Sequence, residues 1–341
     1  MISKIKLTNF RKLENIEIES NNKIIILTGM NAIGKTTVLE SIYIVSTSKS
    51  HRTNDVKECI TFDKDFLKIE LQTDKQFVVT ISKEGKNNTI NNINYEKISE
   101  FIGNLNVIMF SPLDLELING SKGFKRRFLD LEISLLDKAY LREITAYKQL
   151  LKERNEILKN YSDENRIMLK VVTSQLIELI KNNISKRLNF INKINQKLLL
   201  VTKRLNCEKI ELNYLSSVDL NNIEKSFENK LNYDIISKTT NVGLHRDTFE
   251  ILIDGKKIDI YGSEGQMRNS LLAIKFALME IYKDLKKDVI LLLDDVFASV
   301  DQKRINNIME YIKREKQTFI TTTSIFNIPD ELLKDAKIIR L

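Results

Sequence analysis

The sequence is poor in cysteine: it has only Cys59 and Cys207, and neither has a neighbour at CxxC spacing. Disulfide frameworks and zinc sites need several such residues at short spacing, so the sequence predicts neither. It also lacks any apolar run near the roughly 18 residues that cross a bilayer, and residues 1–6 have no signal-peptide core. We therefore expect a soluble, cytoplasmic protein without a membrane partner.

Glycine and proline are absent from residues 124–242. Because these residue types break helices, so long a stretch without them, rich in Leu, Ile, Lys and Glu, predicts a mostly helical segment. Its apolar residues recur at steps of three and four, which places them on one helical face. They are Ile177, Ile180, Ile184, Leu188, Ile191, Ile194 and Leu198. Such a face needs a packing partner, so we expect a helical lobe.

The charge balance is mildly basic, with 54 Lys and Arg against 46 Asp and Glu and a net charge of +8. This excess favours a polyanionic partner such as nucleic acid, although a solvated basic surface is the more common explanation. The length of 341 residues suggests about two domains.

Short apolar runs on both sides of the helical segment predict β-strands. They cover residues 16–18, 24–27, 77–81 and 107–110 before it, and 249–253, 257–261, 289–293 and 319–321 after it. Asp254-Gly255 separates two of these runs and is a hairpin signal. We predict one α/β head made from residues 1–123 and 243–341, with a mainly helical lobe, residues 124–242, inserted between them.

The strand predicted at residues 24–27 leads into a GxxxxGK[ST] segment and then into a helix. This order is the context in which the motif forms a phosphate loop, whose backbone amides curl around phosphate oxygens at a helix N-terminus. Lys35 would reach the β- and γ-phosphates of ATP, and Thr36 would bind Mg²⁺ through its hydroxyl. The residues predicted to contact the nucleotide here are Gly29, Met30, Asn31, Ala32, Ile33, Gly34, Lys35, Thr36 and Thr37.

A second apolar strand, residues 289–293, ends in Asp294 and Asp295. A phosphate loop needs a carboxylate at the end of another strand to hold Mg²⁺, and Asp294 is in that position. Asp295 stands where a group could orient or deprotonate the attacking water. We therefore predict Lys35, Asp294 and Asp295 as catalytic residues, with Thr36 and Asp294 as the metal ligands.

Between these segments, residues 262–266 read Gly-Ser-Glu-Gly-Gln and precede a helix with an apolar face. Ser263 is positioned as an N-cap, and a hydroxyl and exposed amides at a helix N-terminus suit a γ-phosphate. A capped helix without any ligand is the simpler reading. However, the order of phosphate loop, helical insertion, Ser-x-Gly-Gln, helix and acidic strand is that of ABC-type ATPases. In these enzymes the signature segment of one subunit completes the ATP site of another, so we predict nucleotide contacts from Ser263, Gly265 and Gln266.

Beyond these motifs, the sequence resembles the RecF family of bacterial DNA replication and repair proteins over nearly its whole length. The segments that carry the resemblance are residues 7–11 (LTNFR), 49–53 (KSHRT), 110–115 (FSPLDL), 120–121 (GS), 125–130 (KRRFLD), 147–155 (YKQLLKERN) and 244–247 (LHRD). The resemblance implies an ABC/SMC-type P-loop ATPase head that carries an inserted helical lobe.

Several positions depart from the family pattern. Ala32 occupies a position where the family often has glycine, and residues 298–301 retain Asp301, a further predicted nucleotide contact, without the preceding serine. Residues 322–324 (TTS) lack the switch histidine that ABC proteins commonly carry, and no Q-loop glutamine can be assigned. These departures predict slow hydrolysis, at most a weak DNA-stimulated ATPase.

The resemblance implies an ATP-dependent DNA-binding protein of recombinational repair, connected with the DNA damage and SOS responses. Two heads would close around two ATP molecules and grip DNA, either double-stranded or at junctions of single and double strands. The implied partners are RecR, with RecO and RecA in the same pathway. Residues 125–127 (KRR) fit a surface that follows phosphates, and His51-Arg52 and His245-Arg246 are hypothesised to lie near nucleotide or DNA phosphate.

Two alternatives belong to other classes, namely an ABC transporter's ATPase subunit and an SMC-like structural DNA clamp. The long helical insertion argues against the first. The second would need sustained heptads, which are not evident.

Overall fold

The computed structural model describes residues 1–299 and 302–341, and this part of the chain forms two compact units. The first unit combines Met1–Asp114 with Leu271–Leu341, and the second is Leu115–Ser270. An α/β head built from both flanks of the sequence is therefore confirmed.

The strands are β1 (Lys4–Phe10), β2 (Leu13–Glu19), β3 (Ile24–Thr28), β4 (Phe66–Gln72), β5 (Gln76–Ser82), β6 (Lys86–Ile90), β7 (Ile93–Asn94), β8 (Val107–Phe110), β9 (Ile210–Leu215), β10 (Thr248–Ile253), β11 (Lys256–Lys257), β12 (Ile290–Asp294), β13 (Gln317–Thr322) and β14 (Ala336–Arg340). The helices are α1 (Lys35–Thr47), α2 (Ile98–Phe101), α3 (Glu116–Asn119), α4 (Lys122–Leu136), α5 (Lys138–Lys159), α6 (Arg166–Leu205), α7 (Ile223–Ser237), α8 (Ile258–Tyr261), α9 (Glu264–Asp284), α10 (Gln302–Arg314) and α11 (Asp330–Asp335).

A parallel sheet in the order β14-β3-β13-β12-β8 forms the centre of the first unit. β3, β8, β12 and β13 are buried along their whole length, as expected for strands of a parallel sheet covered on both faces. β3 lies between β13 and β14, so both of its neighbours come from residues 317–340. The carboxyl ends of parallel strands share one edge, so the ends of β3 and β12 lie at the same edge.

The buried Gln317 side chain joins distant parts of the first unit. Its Oε1 accepts from the Ile2 amide at 2.7 Å, and its Nε2 donates to the Ile2 carbonyl at 2.8 Å. The same Nε2 lies 3.3 Å from the carbonyl oxygen of Asn22, just before β3. This side chain therefore ties β13 to the segment before β1 and to the start of β3.

An antiparallel sheet in the order β2-β1-β4-β5-β6-β7 completes the first unit. Buried and more exposed residues alternate along β4 and β5, so one face of the sheet is packed and the other is more accessible. The sequence predicts β2 and β5 but not β4, although β4 alternates equally well (Leu67, Ile69, Leu71).

The second unit packs α4, α5 and the long helix α6 with a sheet in the order β11-β10-β9. The predicted apolar face of α6 is buried except at Leu188, which is half-buried beside the fully buried Arg187. β9 interrupts the stretch predicted as helix, because Ile210 and Leu212 are buried and the strand pairs with β10.

The hairpin predicted at Asp254-Gly255 is present, with φ values of 47° and 78° at these residues. The prediction of a strand over residues 257–261 is wrong beyond Lys257, because β11 pairs over two residues only and Ile258–Tyr261 forms helix α8. Ile258 is buried while Ile260 and Tyr261 are exposed, so the alternation seen in the sequence does not reflect a sheet face.

The compact units differ from the sequence-based boundaries. Residues 115–123 and 243–270 belong to the second unit, because β10 pairs with β9 and α4 packs on β10. None of the helices within residues 1–299 and 302–341 combines the length and hydropathy of a bilayer span.

Candidate nucleotide-binding site

The loop between β3 and α1 turns sharply at two glycines. Gly29 has a φ of 153° and Gly34 a φ of 121°, a region that side-chain-bearing residues rarely adopt. A Cβ atom at Gly29 would lie 2.9 Å from the Leu341 carbonyl oxygen, and one at Gly34 would lie 2.8 Å from Leu13 Cδ2. Both glycines are therefore required by conformation and by space, as a loop that bends around phosphate demands.

Ala32 lies in the same loop with a φ of 64°, the left-handed conformation. This conformation costs a residue with a Cβ about 1–2 kcal/mol relative to glycine. Ala32 therefore strains the loop at the position where the family pattern often has glycine.

Lys35 extends back over the loop and is buried, with 8% of its surface exposed. Its Nζ donates to the carbonyl oxygens of Gly29 at 2.7 Å and Met30 at 2.8 Å. α1 has no acidic residue in its first turn and no side-chain cap, so its positive end is not neutralised locally. The ammonium and the helix end together form a cationic cradle, while residues 30–33 line its exposed rim and Thr37 is buried in α1.

Thr36 and Asp294 meet at the carboxyl edge of the parallel sheet. Thr36 Oγ1 donates to Asp294 Oδ1 at 2.7 Å, and Thr321 Oγ1 donates to the same oxygen at 2.8 Å. Thr321, at the end of β13, was identified in the sequence only as part of a strand. The structure thus brings together the hydroxyl and the carboxylate that the sequence predicts as metal ligands.

Asp295 follows Asp294 in the left-handed conformation, with a φ of 52°. Its amide donates to Thr321 Oγ1 at 2.9 Å. Its Oδ1 is buried and has no hydrogen-bond partner among the residues that the structure describes. Burial and the neighbouring Asp294 raise the pKa of this carboxyl group, while Lys35 lowers it. A strained backbone and an unsatisfied carboxylate oxygen are features found at functional sites.

Glu40 anchors the segment that follows α1. It is fully buried and accepts from Arg11 Nε at 2.6 Å, Arg11 Nη2 at 2.7 Å and Ser50 Oγ at 2.5 Å. Burial alone would raise the pKa of Glu40, but the hydrogen bonds from Arg11 and Ser50 hold it below its ordinary value. Arg52 Nη1 lies 3.6 Å from the same carboxylate. Sequence reasoning missed Glu40, because its partners come from separate motifs.

His51 lies in this segment with its edge to the Tyr43 ring, at 5.7 Å between centroids. Both ring nitrogens are buried without a hydrogen-bond partner in the described part of the chain. Burial lowers the pKa of His51, while the carboxylates of Glu40, Asp294 and Asp114 raise it. His51 therefore lies in the field of the acidic groups at the sheet edge.

His245-Arg246, by contrast, is held by contacts within the second unit. His245 Nδ1 lies 2.6 Å from the Tyr147 hydroxyl, and its Nε2 lies 2.9 Å from the Thr240 carbonyl oxygen. Arg246 donates to that carbonyl at 3.2 Å and to Asn241 Oδ1 at 3.3 Å. His245 therefore orders the lobe, and its proximity to phosphate stays a prediction.

The signature segment starts α9 with reciprocal hydrogen bonds. The Gln266 amide donates to Ser263 Oγ at 3.2 Å, and Gln266 Oε1 accepts from the Ser263 amide at 2.8 Å, which is a capping box. Gln266 Nε2 also donates to Glu208 Oε1 at 2.9 Å, and Gly265 lies in the first turn of the helix. These residues belong to the second unit, whereas Lys35 and Asp294 belong to the first. Asp301, the remaining predicted nucleotide contact, lies outside the described residues.

The chain matches the family model described as AAA ATPase domain over residues 1–338. It is similar to the DNA replication and repair protein RecF of Bacillus thuringiensis (strain Al Hakam), with 36% identity over 361 residues, covering 100% of this chain and 96% of the relative. Among solved structures, it is similar to the recombination mediator protein RecF-ATP in the RecFOR pathway, with a TM-score of 0.89, 28% identity, and 96% and 93% of the two chains covered. The Smc head domain from Pyrococcus furiosus, with a TM-score of 0.52 and 16% identity over 99% and 92% of the two chains, shares the fold.

Proposed function

Because this chain belongs to the RecF family of DNA replication and repair proteins, and to the wider AAA ATPase domain family, we propose that it binds ATP and DNA together in recombinational repair. The observation that carries the proposal is the contact of Thr36 with Asp294 beside Lys35, at the loop whose glycines leave no room for side chains. The match to RecF covers the helical lobe as well as the head, which favours this function over a transporter subunit or an SMC-like clamp.

The residues at the sheet edge fit ATP with Mg²⁺. Hydroxyl and carboxylate oxygens are the ligands that Mg²⁺ takes in nucleotide sites, and Thr36 and Asp294 present one of each. When bound, the metal would supply positive charge at the β- and γ-phosphates. The Lys35 ammonium would bind the same phosphates, exchanging its hydrogen bonds to loop carbonyls for contacts with phosphate oxygens.

Hydrolysis in this proposal depends on Asp295. Its buried, unpartnered Oδ1 is suited to accept a proton from a water molecule that attacks the γ-phosphate. A single carboxylate without an assigned switch histidine supports slow turnover, so the protein would act as a timing device. DNA binding would use the basic excess of the chain and would weaken as salt rises.

The signature segment supports an ATP-dependent homodimer. Ser263 is exposed at the start of α9, and its hydroxyl and the first amides of this helix offer a surface for a γ-phosphate held by a second copy. We further propose that the dimer works in the cytoplasm at single-strand gaps, with RecR as its partner and RecO and RecA in the same pathway.

The test is the mass in solution, measured by light scattering with no nucleotide, with ADP and with ATP, each with and without DNA. We expect a dimer only with ATP. Lys35→Ala should remain monomeric because it cannot hold the phosphates. Ser263→Arg should bind ATP and remain monomeric because the added side chain blocks the helix end. A constant monomer for the intact chain at saturating ATP would refute the composite site, and loss of ATP binding in Ser263→Arg would place that residue outside the interface.

A further inference from the structure

A cavity of about 530 Å³ lies in the second unit and shares no lining residue with the phosphate loop. The end of α3, the start of α4 and parts of β10, β11 and α8 surround it. Its charged lining residues are Lys122, Lys125, Lys257, Glu250 and Asp259. Three cations and two anions therefore face one enclosed space.

The charges in this cavity are not paired evenly. Lys257 forms an ion pair with Glu250. Neither Lys122 nor Lys125 forms an ion pair with any residue that the structure describes. Burial lowers the pKa of the half-buried Lys125, while Asp259 and Glu250 raise it. An ammonium group that loses water without gaining a partner is stabilised by an anion that enters the cavity.

The sequence neighbours of Lys125 have contacts of their own. Arg126 Nη1 donates to the Asp247 carbonyl oxygen at 3.2 Å, and the Arg127 guanidinium lies over the Phe124 ring, 5.6 Å from its centroid. Of the basic segment at residues 125–127, only Lys125 therefore lines the cavity.

A neutral donor in the cavity wall also lacks a partner. Thr248 lines the cavity and has only 7% of its surface exposed. Its Oγ1 has no hydrogen-bond partner within residues 1–299 and 302–341. Buried hydroxyls are nearly always satisfied by protein, water or a ligand, so an unsatisfied one beside two unpaired lysines indicates a binding site.

The start of α4 adds to the positive potential of the cavity. Ser121 caps the helix by accepting from the Phe124 amide at 3.2 Å, and no acidic residue lies in the first turn. The first amides of the helix and its dipole therefore favour an anion.

We propose that this cavity binds the phosphate group of a mononucleotide-sized ligand, with Lys122 and Lys125 as the cationic contacts and the Thr248 hydroxyl as a neutral donor. The remaining wall suits the rest of such a ligand, because Ile118, Leu215 and Phe249 provide apolar surface against a sugar or a base. The volume falls within the range of about 300–1,000 Å³ that is usual for small-molecule sites. The phosphate comes either from a free nucleotide or from the end of a nucleic-acid strand.

The test uses the whole chain with Lys35→Ala, which removes phosphate binding at the loop. Isothermal titration calorimetry with dTMP and AMP as probes should show saturable binding in this background. Adding Lys125→Met should weaken it about tenfold, the loss expected for one charge-assisted hydrogen bond in a dry site. Thr248→Val should weaken it less. Lys170→Met, at an exposed lysine of α6, makes the same change in net charge and should have no effect.

Two strand probes of one sequence, with a 5′-phosphate or a 5′-hydroxyl, separate the two sources. A gain in affinity from the 5′-phosphate that disappears in Lys125→Met identifies a strand end, and dTMP binding without that gain identifies a free nucleotide. If Lys125→Met does not fold, as judged by circular dichroism, the exposed Lys122→Met replaces it. The proposal is overturned if no probe binds saturably, or if the cavity variants bind as tightly as Lys170→Met.

Discussion

The phosphate-loop edge of the first unit and the core of the second unit treat buried polar groups in opposite ways. At the edge, Asp295 Oδ1 and both nitrogens of His51 have no partner in the described residues. In the lobe, the buried Arg187 donates to Asp130 Oδ1 at 2.7 Å, to the Tyr140 hydroxyl at 2.9 Å and to the Leu244 carbonyl oxygen at 2.9 Å. Unsatisfied groups cost stability and persist where a ligand uses them, whereas a satisfied network specifies a scaffold.

The strongest test of this comparison is Asp295→Asn. If the unsatisfied carboxylate is there to accept a proton, hydrolysis should fall about 10²- to 10⁴-fold while ATP affinity stays unchanged. Single-turnover hydrolysis and equilibrium ATP binding measure the two effects separately. Asp335→Asn, at an exposed carboxylate of the same unit, should keep the full rate. An unchanged rate in Asp295→Asn would show that the unpaired oxygen has no chemical role.

The scaffold side of the comparison is tested by Arg187→Met. This change leaves the carboxylates of Asp130 and Asp247 buried without their cation, so the free energy of unfolding should fall by about 3–5 kcal/mol. Urea unfolding measures the effect, and Arg142→Met, at an exposed arginine of α5, should cost less than about 0.5 kcal/mol. Equal costs for the two variants would mean that the network does not stabilise the lobe.

His245 should make the second unit sensitive to acid. Burial lowers its pKa from 6.5 to about 4 in the folded state, so the unfolded chain binds the proton more tightly. The free energy of unfolding should therefore fall as pH drops from 6.5 towards 4, by up to about 3 kcal/mol from this residue. Urea unfolding at several pH values should show a shallower decline for His245→Gln. Parallel declines in the two proteins would assign the acid sensitivity to other groups.

The smallest expected effect concerns strain in the loop. Ala32→Gly should relieve the left-handed conformation and raise the free energy of unfolding by about 0.5–1 kcal/mol, after the extra freedom of glycine in the unfolded chain is subtracted. Thermal unfolding is a sufficient measurement. The matched change Ala146→Gly, in the middle of α5, should have the opposite sign and cost about 1 kcal/mol. A loss of stability in Ala32→Gly would show that the loop is not strained there.

Local signals made the nucleotide edge predictable from sequence. The strand before Gly29, the spacing of Gly29, Gly34 and Lys35, and the apolar run before Asp294 each lie within a few residues. The contact between Thr36 and Asp294 then follows from the shared carboxyl edge of parallel strands. The Ser263 cap was predictable for the same reason, since its partner Gln266 is three residues away.

The lobe was less predictable because its partners are distant in sequence. Arg154 is fully buried and donates to Asp234 Oδ2 at 2.8 Å and to Thr240 Oγ1 at 2.8 Å, contacts that only the folded chain brings together. β9 was hidden in a segment free of glycine and proline, and its pairing with β10 crosses α7 in the sequence. The family-like segment at residues 147–155 shows the same dependence, since Tyr147 contacts His245 and Arg154 contacts Asp234.

The position of β3 between β13 and β14 also sets an order in time during synthesis on the ribosome. β3 and its loop emerge early, but the strands that flank them are residues 317–340. At the usual rate of about 5–20 residues per second, the early strand waits roughly tens of seconds for its neighbours. A nascent chain halted before residue 317 would lack both hydrogen-bonded edges of β3 and the Gln317 tie to Ile2. The newly made protein is therefore unable to hold ATP until almost all of the described chain has been translated.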